Sequence, residues 1–197
     1  NTATVAGGPY AINISNATGG TFNPSNYSIT YNTGLLTVNK ASLTVSGIVA
    51  ANRTYDGTTN ASIDTSGVQF SGLVNGDTVS LTSSSGAFVD KNVGAGKTVN
   101  LSNAFGGAAL TNYNVVDQLF TTASIASKAI TLTGITAANK TYDGTTSASV
   151  NAAGASFTGL IGGDAVTVSS TGAFGDKNAG NTKTVTLTNV IGGADKA

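Results

Sequence analysis

Residues 47–59 read GIVAANRTYDGTT, and nearly the same sequence, GITAANKTYDGTT, returns at residues 134–146, 87 residues later. A second block, GAFVDKN at residues 86–92, returns as GAFGDKN at residues 172–178, 86 residues later. A period of this length exceeds the roughly 20–50 residues of a solenoid repeat and matches a small β-domain. The sequence therefore predicts a tandem array of such domains.

Short runs along the chain alternate apolar and polar residues with the period of two that is typical of half-buried strands. These runs are Ile12–Ile14, Leu43–Val45, Val79–Leu81, Val99–Leu101, Ile130–Leu132, Val166–Val168 and Val185–Thr188. Asp-Gly, Asn-Gly and Gly-Gly pairs between them indicate turns. We expect an all-β fold of small antiparallel, immunoglobulin-like β-sandwiches arranged end to end. The predicted core of the complete domain comprises Leu43, Val45, Phe70, Leu73, Val79, Leu81, Phe88, Val99, Leu101 and Phe105.

The repeat divides the chain into three predicted parts. Residues 1–40 are a C-terminal fragment of a preceding domain, because ISNATGG at 14–20 parallels LSNAFGG at 101–107. Residues 41–126 form a complete domain, and residues 127–197 form a second one that lacks its C-terminal strands. The missing strands would leave an open sheet edge in residues 127–197, which has two interpretations. Either residues 26–40 of one molecule pair with this edge in the next molecule, so that strand donation builds a fibre, or the chain is an excerpt of a longer one.

Composition narrows the classes of function. Only 9% of residues are charged, and nine basic residues balance nine acidic ones, which argues against a basic nucleic-acid surface. The sequence has no Cys, His, Met or Trp. Without histidine the commonest general base is missing, so we expect no enzyme activity and no cofactor. No apolar run approaches the roughly 18 residues of a membrane span.

The Arg/Lys-Thr-Tyr-Asp-Gly-Thr-Thr block, followed by Gly-Asp and Asp-Lys-Asn, resembles the YDG repeat domain of large bacterial surface proteins. Residues 9–40, with NYSITY at 26–31 and GLLTVNKA at 34–41, resemble the end of a mostly bacterial glycine (MBG) repeat. The resemblance implies a secreted or cell-surface protein similar to filamentous-haemagglutinin-type adhesins. It predicts a stalk, spacer or fibre segment whose partners are neighbouring repeats. The alternative is a glycan- or surface-binding module of the same adhesin.

The aspartates of the two Tyr-Asp-Gly turns allow two interpretations. Asp56 and Asp143 could bind Ca²⁺ together with Asp77 and Asp164, or with Asp90 and Asp176, because carboxylate oxygens suit that ion. The alternative, which we favour because the spacing of a calcium loop is missing, is that each carboxylate accepts a hydrogen bond from its own turn. We therefore predict no metal site.

Three further features have both a functional and a structural interpretation. Tyr55 and Tyr142 are either surface aromatics for sugars or, as we expect, rings packed at the core with hydroxyls paired to backbone. Asp90-Lys91-Asn92 and Asp176-Lys177-Asn178 offer the residue types of an isopeptide crosslink, but contiguous polar residues favour a solvated turn. Candidate N-glycosylation sequons begin at Asn13, Asn16, Asn26, Asn52, Asn60, Asn100 and Asn139.

Overall fold

A computed structural model describes residues 4–195, and its regular structure is almost entirely β. Two three-residue 3-10 turns, Pro24–Asn26 and Leu110–Asn112, are the helical segments within those residues, and no helix there is long and apolar enough to span a membrane. The strands are β1 (Tyr10–Ile12), β2 (Gly34–Leu36), β3 (Ala41–Ser46), β4 (Val49–Ala50), β5 (Arg53–Thr54), β6 (Asn60–Ala61), β7 (Ile63–Asp64), β8 (Gln69–Ser71), β9 (Ser80–Phe88), β10 (Gly94–Gly106), β11 (Tyr113–Val116), β12 (Phe120–Ala126), β13 (Thr131–Thr133), β14 (Thr136–Ala137), β15 (Ser147–Ala148), β16 (Val150–Asn151), β17 (Ser156–Thr158), β18 (Thr167–Phe174) and β19 (Val185–Gly192).

Some strand pairs are parallel, so the expectation of antiparallel sandwiches is wrong in part. β3 lies between β8, its antiparallel neighbour, and β11, its parallel neighbour, with Val115 opposite Leu43. β12 and β5 are also parallel. Parallel neighbours require a long connection, which the chain between β3 and β11 supplies. Alternation of side chains identifies a strand without indicating the direction of its neighbour, which is why the sequence did not reveal these pairs.

The strands recur with the period of the sequence. β14, β15, β16 and β17 fall 87 residues after β4, β6, β7 and β8, and β13 ends 87 residues after β3 ends. β18 ends 86 residues after β9 ends, and β19 falls 86 residues after the second half of β10. The pairing recurs as well, since Val45 faces Phe70 and Leu132 faces Phe157. The largest sheet has the order β5-β12-β10-β9-β6, whereas its later counterpart has the order β15-β18-β19. Similar local sequence thus produces the same pairing in β3–β8 and β13–β17.

Buried apolar side chains concentrate in the stretch from β3 to β12. Of the ten predicted core residues, Leu43, Val45, Val79, Phe88, Val99 and Leu101 are buried, while Leu81, Phe70, Leu73 and Phe105 are half-buried. The prediction missed five further buried residues, Ile48, Ala109, Tyr113, Ala123 and Ile125. Within residues 127–195 no apolar residue is buried to this degree. The strands that would match β11 and β12 do not occur in that stretch.

The chain separates into two compact units that are discontinuous in sequence. One comprises Asn1–Ala50, Ala61–Ala87 and Val99–Thr121, and the other comprises Ala51–Asn60, Phe88–Thr98 and Thr122–Ala197. In the first unit, β1 and β2 form an antiparallel pair in which Ala11 faces Leu35. Ile14, which was expected in the same strand as Ile12, lies beyond the end of β1. The division at residues 40 and 126 remains a sequence prediction.

Candidate functional site

The first Tyr-Asp-Gly loop is closed by the carboxylate of its own aspartate. Asp56 Oδ1 accepts hydrogen bonds from the Thr58 backbone N–H and hydroxyl, both at 2.9 Å, and Asp56 Oδ2 accepts one from Arg53 Nη1 at 2.7 Å. Gly57 follows with φ at +79°, a left-handed value that favours glycine. The Thr58 N–H, followed by its hydroxyl and Arg53, lowers the pKa of Asp56. The predicted Asx-turn is therefore present.

The second loop repeats this arrangement with lysine in place of arginine. Asp143 Oδ1 accepts hydrogen bonds from the Thr145 N–H and hydroxyl at 2.9 Å and from Lys140 Nζ at 2.8 Å. Gly144 has φ at +76°. Hydrogen bonding to Lys140, and then to Thr145, lowers the pKa of Asp143 to about 2. The basic residue of the motif therefore anchors the aspartate in both copies.

The same basic residue also contacts an aromatic ring at the end of a long strand. Arg53 lies 5.0 Å from the centre of the Phe88 ring, and Lys140 lies 5.6 Å from that of Phe174. A cation over an aromatic face is attracted by the ring quadrupole. The Phe88 N–H also donates to the Thr59 carbonyl at 2.8 Å. Each Tyr-Asp-Gly loop is thus fixed to the strand that precedes its Asp-Lys-Asn turn.

Each Asp-Lys-Asn turn is closed locally by its aspartate. Asp90 Oδ1 accepts the Asn92 N–H at 2.8 Å and Lys97 Nζ at 2.6 Å. Asp176 similarly accepts the Asn178 N–H at 2.7 Å and pairs with Lys183. The lysine inside each triplet takes no part in this closure, because Lys97 of β10 and Lys183, which lies just before β19, supply the cations that pair with the aspartates.

Lys91 instead joins two aspartates that are distant in sequence. Its Nζ donates to Asp195 Oδ1 at 3.1 Å and to Asp164 Oδ1 at 3.3 Å, and lies 5.9 Å from the centre of the Tyr55 ring. The Tyr55 hydroxyl donates to the same Asp164 oxygen at 3.0 Å. All four residues belong to the second compact unit. We call Tyr55, Lys91, Asp164 and Asp195 the Lys91 cluster.

The Lys91 cluster corrects two expectations from the sequence. Lys91 does not lie in a fully solvated turn, and the Tyr55 hydroxyl pairs with a carboxylate where a backbone partner was expected. The Asp164 side chain is only 6% exposed, so Lys91 compensates a charge that is largely removed from water. The sequence hides this pairing because Asp195 replaces Ala109 of the first copy, and a local pattern does not reveal long-range partners.

The charges of the Lys91 cluster favour ion pairs over a covalent crosslink. Hydrogen bonds to Asp195, Tyr55 and Asp164 raise the pKa of Lys91 well above its ordinary value. The Ala165 N–H, which donates to Asp195 Oδ2 at 3.0 Å, and then Lys91 lower the pKa of Asp195. Lys91 is therefore protonated at neutral pH. An ammonium group is not a nucleophile, so the arrangement does not favour isopeptide formation.

Tyr55 also has a structural analogue in the first unit. The hydroxyl of the buried Tyr113 donates to Asp77 Oδ2 at 2.6 Å and accepts the Val74 N–H at 2.9 Å. Hydrogen bonding to Asp77 and burial raise the pKa of Tyr113. Asp77 and Asp164 are equivalent positions of the repeat. In each copy a tyrosine hydroxyl therefore satisfies the aspartate of the Gly-Asp loop, but the tyrosine comes from a different part of the sequence.

Tyr142 and Lys177, the equivalents of Tyr55 and Lys91, lie in a different environment. Tyr142 is 61% exposed, which contradicts the expectation that its ring packs at the core. Both residues line an open groove of about 660 Å³ together with Asn139, Asn178 and Asn181. Within residues 4–195 no carboxylate lies within salt-bridge distance of Lys177.

The candidate calcium ligands do not converge in the described part of the chain. Asp56 and Asp143 are held by their own loops, and Asp90 and Asp176 pair with neighbouring lysines. No group of three or more acidic side chains among residues 4–195 has the spacing of a metal site. The aspartates that do converge, Asp164 and Asp195, have Lys91 between them, and the sequence had not singled out Asp195.

The sequon asparagines all lie on exposed positions. Asn52 is also structural, because its Oδ1 accepts the Ser124 N–H at 2.7 Å. Asn16 adopts a positive φ of 54°. Exposure is compatible with modification and does not establish it, so the seven sites remain predictions.

Comparisons with known proteins identify the repeat. The YDG domain family matches residues 39–123 and 126–197, which cover most of the chain. No curated protein and no solved structure matches it. The two matches contain the two Tyr-Asp-Gly loops described above. The chain therefore belongs to the YDG domain family, of which it carries two copies in tandem.

Proposed function

We propose that this chain is a structural segment, a stalk, spacer or part of a fibre, of a large bacterial surface or secreted adhesin. Its residues 1–40 are proposed to be the end of an MBG-like domain, followed by two immunoglobulin-like YDG domains placed end to end. The neighbouring repeats are its principal partners in this proposal. It assigns the protein no enzyme activity and no cofactor, and it places the protein outside the cell.

The observation that carries the proposal is the Lys91 cluster. Tyr55 and Lys91 belong to the first repeat, and Asp164 and Asp195 belong to the second. The connection near Ser127 has no Gly- or Pro-rich linker, and the cluster adds a second attachment beside it. Two attachments restrict bending more than a single covalent connection does. Restricted bending is what a spacer needs in order to keep a distance.

The duplicated interactions give a second, independent support. Arg53–Asp56 and Lys140–Asp143, Lys97–Asp90 and Lys183–Asp176, and Ser84–Asn103 and Ser170–Asn189 form equivalent pairs in the two copies. Each pair stabilises a loop or a strand pair within its own repeat. A chain that repeats its scaffold contacts in this way is built from interchangeable units, as expected for an array whose length matters.

Small-angle scattering of the full chain tests the proposal. We expect an elongated profile for the wild type and a broader distribution of dimensions for Tyr55→Ala/Lys91→Ala, because that variant removes the second attachment. Tyr142→Ala/Lys177→Ala is the matched control, since it makes the same substitutions in the other copy, and should scatter like the wild type. A compact wild-type profile, or equal changes in both variants, would contradict the proposal.

A glycan-binding module is the alternative function, and one observation favours it. Tyr142 is exposed in a groove that also contains Asn139, Asn178 and Asn181. An aromatic face with nearby amides is suited to sugar recognition. A glycan array probed with the full chain and with Tyr142→Ala separates the two functions. Binding that depends on Tyr142 would replace the spacer proposal.

A further inference from the structure

The surface of the second repeat around its Tyr-Asp-Gly loop repeats a surface that is occupied in the first repeat. Tyr142, Gly144 and Lys177 are the equivalents of Tyr55, Gly57 and Lys91. We call these three residues the Tyr142 surface. Both loops have the same backbone, with φ of +76° at Gly144 and +79° at Gly57, and the same Asx-turn. The two Tyr-Asp-Gly loops therefore share one local geometry, and in the second repeat Lys177 lines the same groove as Tyr142.

The residues that contact Tyr55, Gly57 and Lys91 indicate what the Tyr142 surface binds. Asp164 accepts the Tyr55 hydroxyl and Lys91, and Asp195 accepts Lys91 again. Ile161 lies against Gly57, where an added Cβ would approach Ile161 Cγ2 to 2.9 Å. The glycine of the Tyr-Asp-Gly motif thus leaves room for an apolar side chain of the partner loop. The recognised unit is an LIGGD loop at residues 160–164 together with one further carboxylate.

The Tyr142 surface has no such occupant among the described residues. No atom lies within 4 Å of a Cβ built on Gly144. Tyr142 is 61% exposed, whereas Tyr55 is half-buried. Within residues 4–195, Lys177 has no partner comparable to Asp164 and Asp195. The Lys177 ammonium group, the Tyr142 hydroxyl and the open space beside Gly144 are therefore all available to a partner.

We propose that the Tyr142 surface is a docking site for the Gly-Gly-Asp loop of another YDG-type repeat. The partner presents an apolar residue toward Gly144 and two carboxylates toward Lys177 and the Tyr142 hydroxyl. This inference deepens the proposed spacer function and rests on it, because it makes the joint between repeats a contact that propagates along an array. The chemistry of the surface selects a carboxylate-bearing loop and disfavours a basic partner.

Carbodiimide crosslinking tests this contact because it couples only amines and carboxylates that already touch. In the wild-type chain the loop is occupied by Tyr55 and Lys91. The carbodiimide converts a carboxylate into a neutral ester, which removes a charge that keeps Lys91 protonated, so the released amine should attack it and form an intramolecular link from Lys91 to Asp164 or Asp195. The full-chain variant Tyr55→Ala/Lys91→Ala frees its own loop. At high protein concentration and low salt this variant should form several-fold more crosslinked dimer than the wild type. Mass spectrometry should locate the new link between Lys177 and Asp164 or Asp195.

Two control variants make the outcome decisive. Adding Tyr142→Ala/Lys177→Ala to the freed variant should reduce the dimer to the wild-type amount. The milder background Tyr55→Phe/Lys91→Gln serves if circular dichroism shows that the alanine pair disturbs the fold. Absence of the Lys177 link in a folded, freed variant overturns the inference, as does a dimer that persists without Tyr142 and Lys177. Glycan-array binding that depends on Tyr142 also overturns it.

The same experiment separates this inference from the proposed function. A wild-type link from Lys91 with no Lys177 link in the freed variant would leave the internal joint and the spacer proposal intact while removing the docking site. Absence of the Lys91 link in the wild type would remove the basis of both the docking site and the spacer proposal.

Discussion

Replacing Leu43 with alanine should destabilise the protein far more than the same change at the equivalent position of the second repeat. Leu43 is fully buried in β3 and packs in a cluster with Val79, Ala109 and Tyr113, whereas its counterpart Ile130 is 40% exposed. Both substitutions remove three carbons beyond Cβ. The pair therefore separates the effect of burial from that of side-chain chemistry.

The expected magnitudes follow from burial. Removing three buried carbons costs about 2.4 kcal/mol at about 0.8 kcal/mol each, and the cavity left at Leu43 raises the loss to about 3–4 kcal/mol. At Ile130 part of the side chain is already in water and the site is open, so the loss should be about 1.5 kcal/mol or less.

Equilibrium unfolding in urea, followed by circular dichroism because the chain has no tryptophan, measures both variants. The Leu43→Ala transition should shift to lower urea, and the Ile130→Ala transition should shift much less. Equal shifts, or a larger shift for Ile130→Ala, would refute the assignment of the core to the stretch from β3 to β12.

Three further predictions concern the loops. The pKa of Asp143 in the folded protein is about 2, below its ordinary 3.8, so its contribution to stability is complete above pH 3.8 and is lost as the pH falls toward 2. Asp143→Asn should therefore be less stable than the wild type at pH 7 and nearly as stable at pH 2. An equal difference in stability at both pH values would exclude the pairing with Lys140. Gly47→Ala should lower the free energy of unfolding by more than about 1 kcal/mol, because Gly47 has φ at +87° and an added Cβ would collide with the Gly67 carbonyl. Gly96 also has a positive φ but has open space beside it, so Gly96→Ala should lower the free energy of unfolding less. Similar melting temperatures for the two variants would contradict the steric argument. EDTA should leave the melting temperature unchanged, because the carboxylates of both Tyr-Asp-Gly loops already accept hydrogen bonds from their own turns; a fall of several degrees that Ca²⁺ reverses would restore the calcium interpretation.

Strand donation between molecules remains a proposal that the described chain does not test. β19 is an edge strand in the sheet of the second copy, and β2 pairs only with β1 among the described strands. Leu35 and Leu36 of β2 are exposed. These features are what a donated strand and its acceptor would need. Size-exclusion chromatography over a range of concentrations would reveal such fibres.

Features that depend on neighbours along the chain could be predicted from the sequence. Alternation at Leu43–Val45 and Val99–Leu101 predicts strands because successive side chains point to opposite faces, and the structure contains both. The Asx-turn at Asp56 follows from one carboxylate reaching an N–H two residues later. The repeat of 86–87 residues also predicted that the same pairs would form twice. The alternation and the Asx-turn need no partner that is distant in sequence, and the repeat carries any longer pairing from one copy to the next.

Which distant groups meet depends on the tertiary fold and could not be predicted. The parallel pairing of β3 with β11 and the burial of Ile48 and Ile125 depend on how strands pack, which alternation does not encode. The Lys91 cluster shows the same limit, since Lys91 and Lys177 occur in nearly identical sequences, yet within residues 4–195 Lys91 pairs with two aspartates and Lys177 forms no salt bridge. A long side chain pairs with whichever opposite charge the fold brings within a few ångströms. That distance is a property of the packed chain, because sequence separation does not fix it.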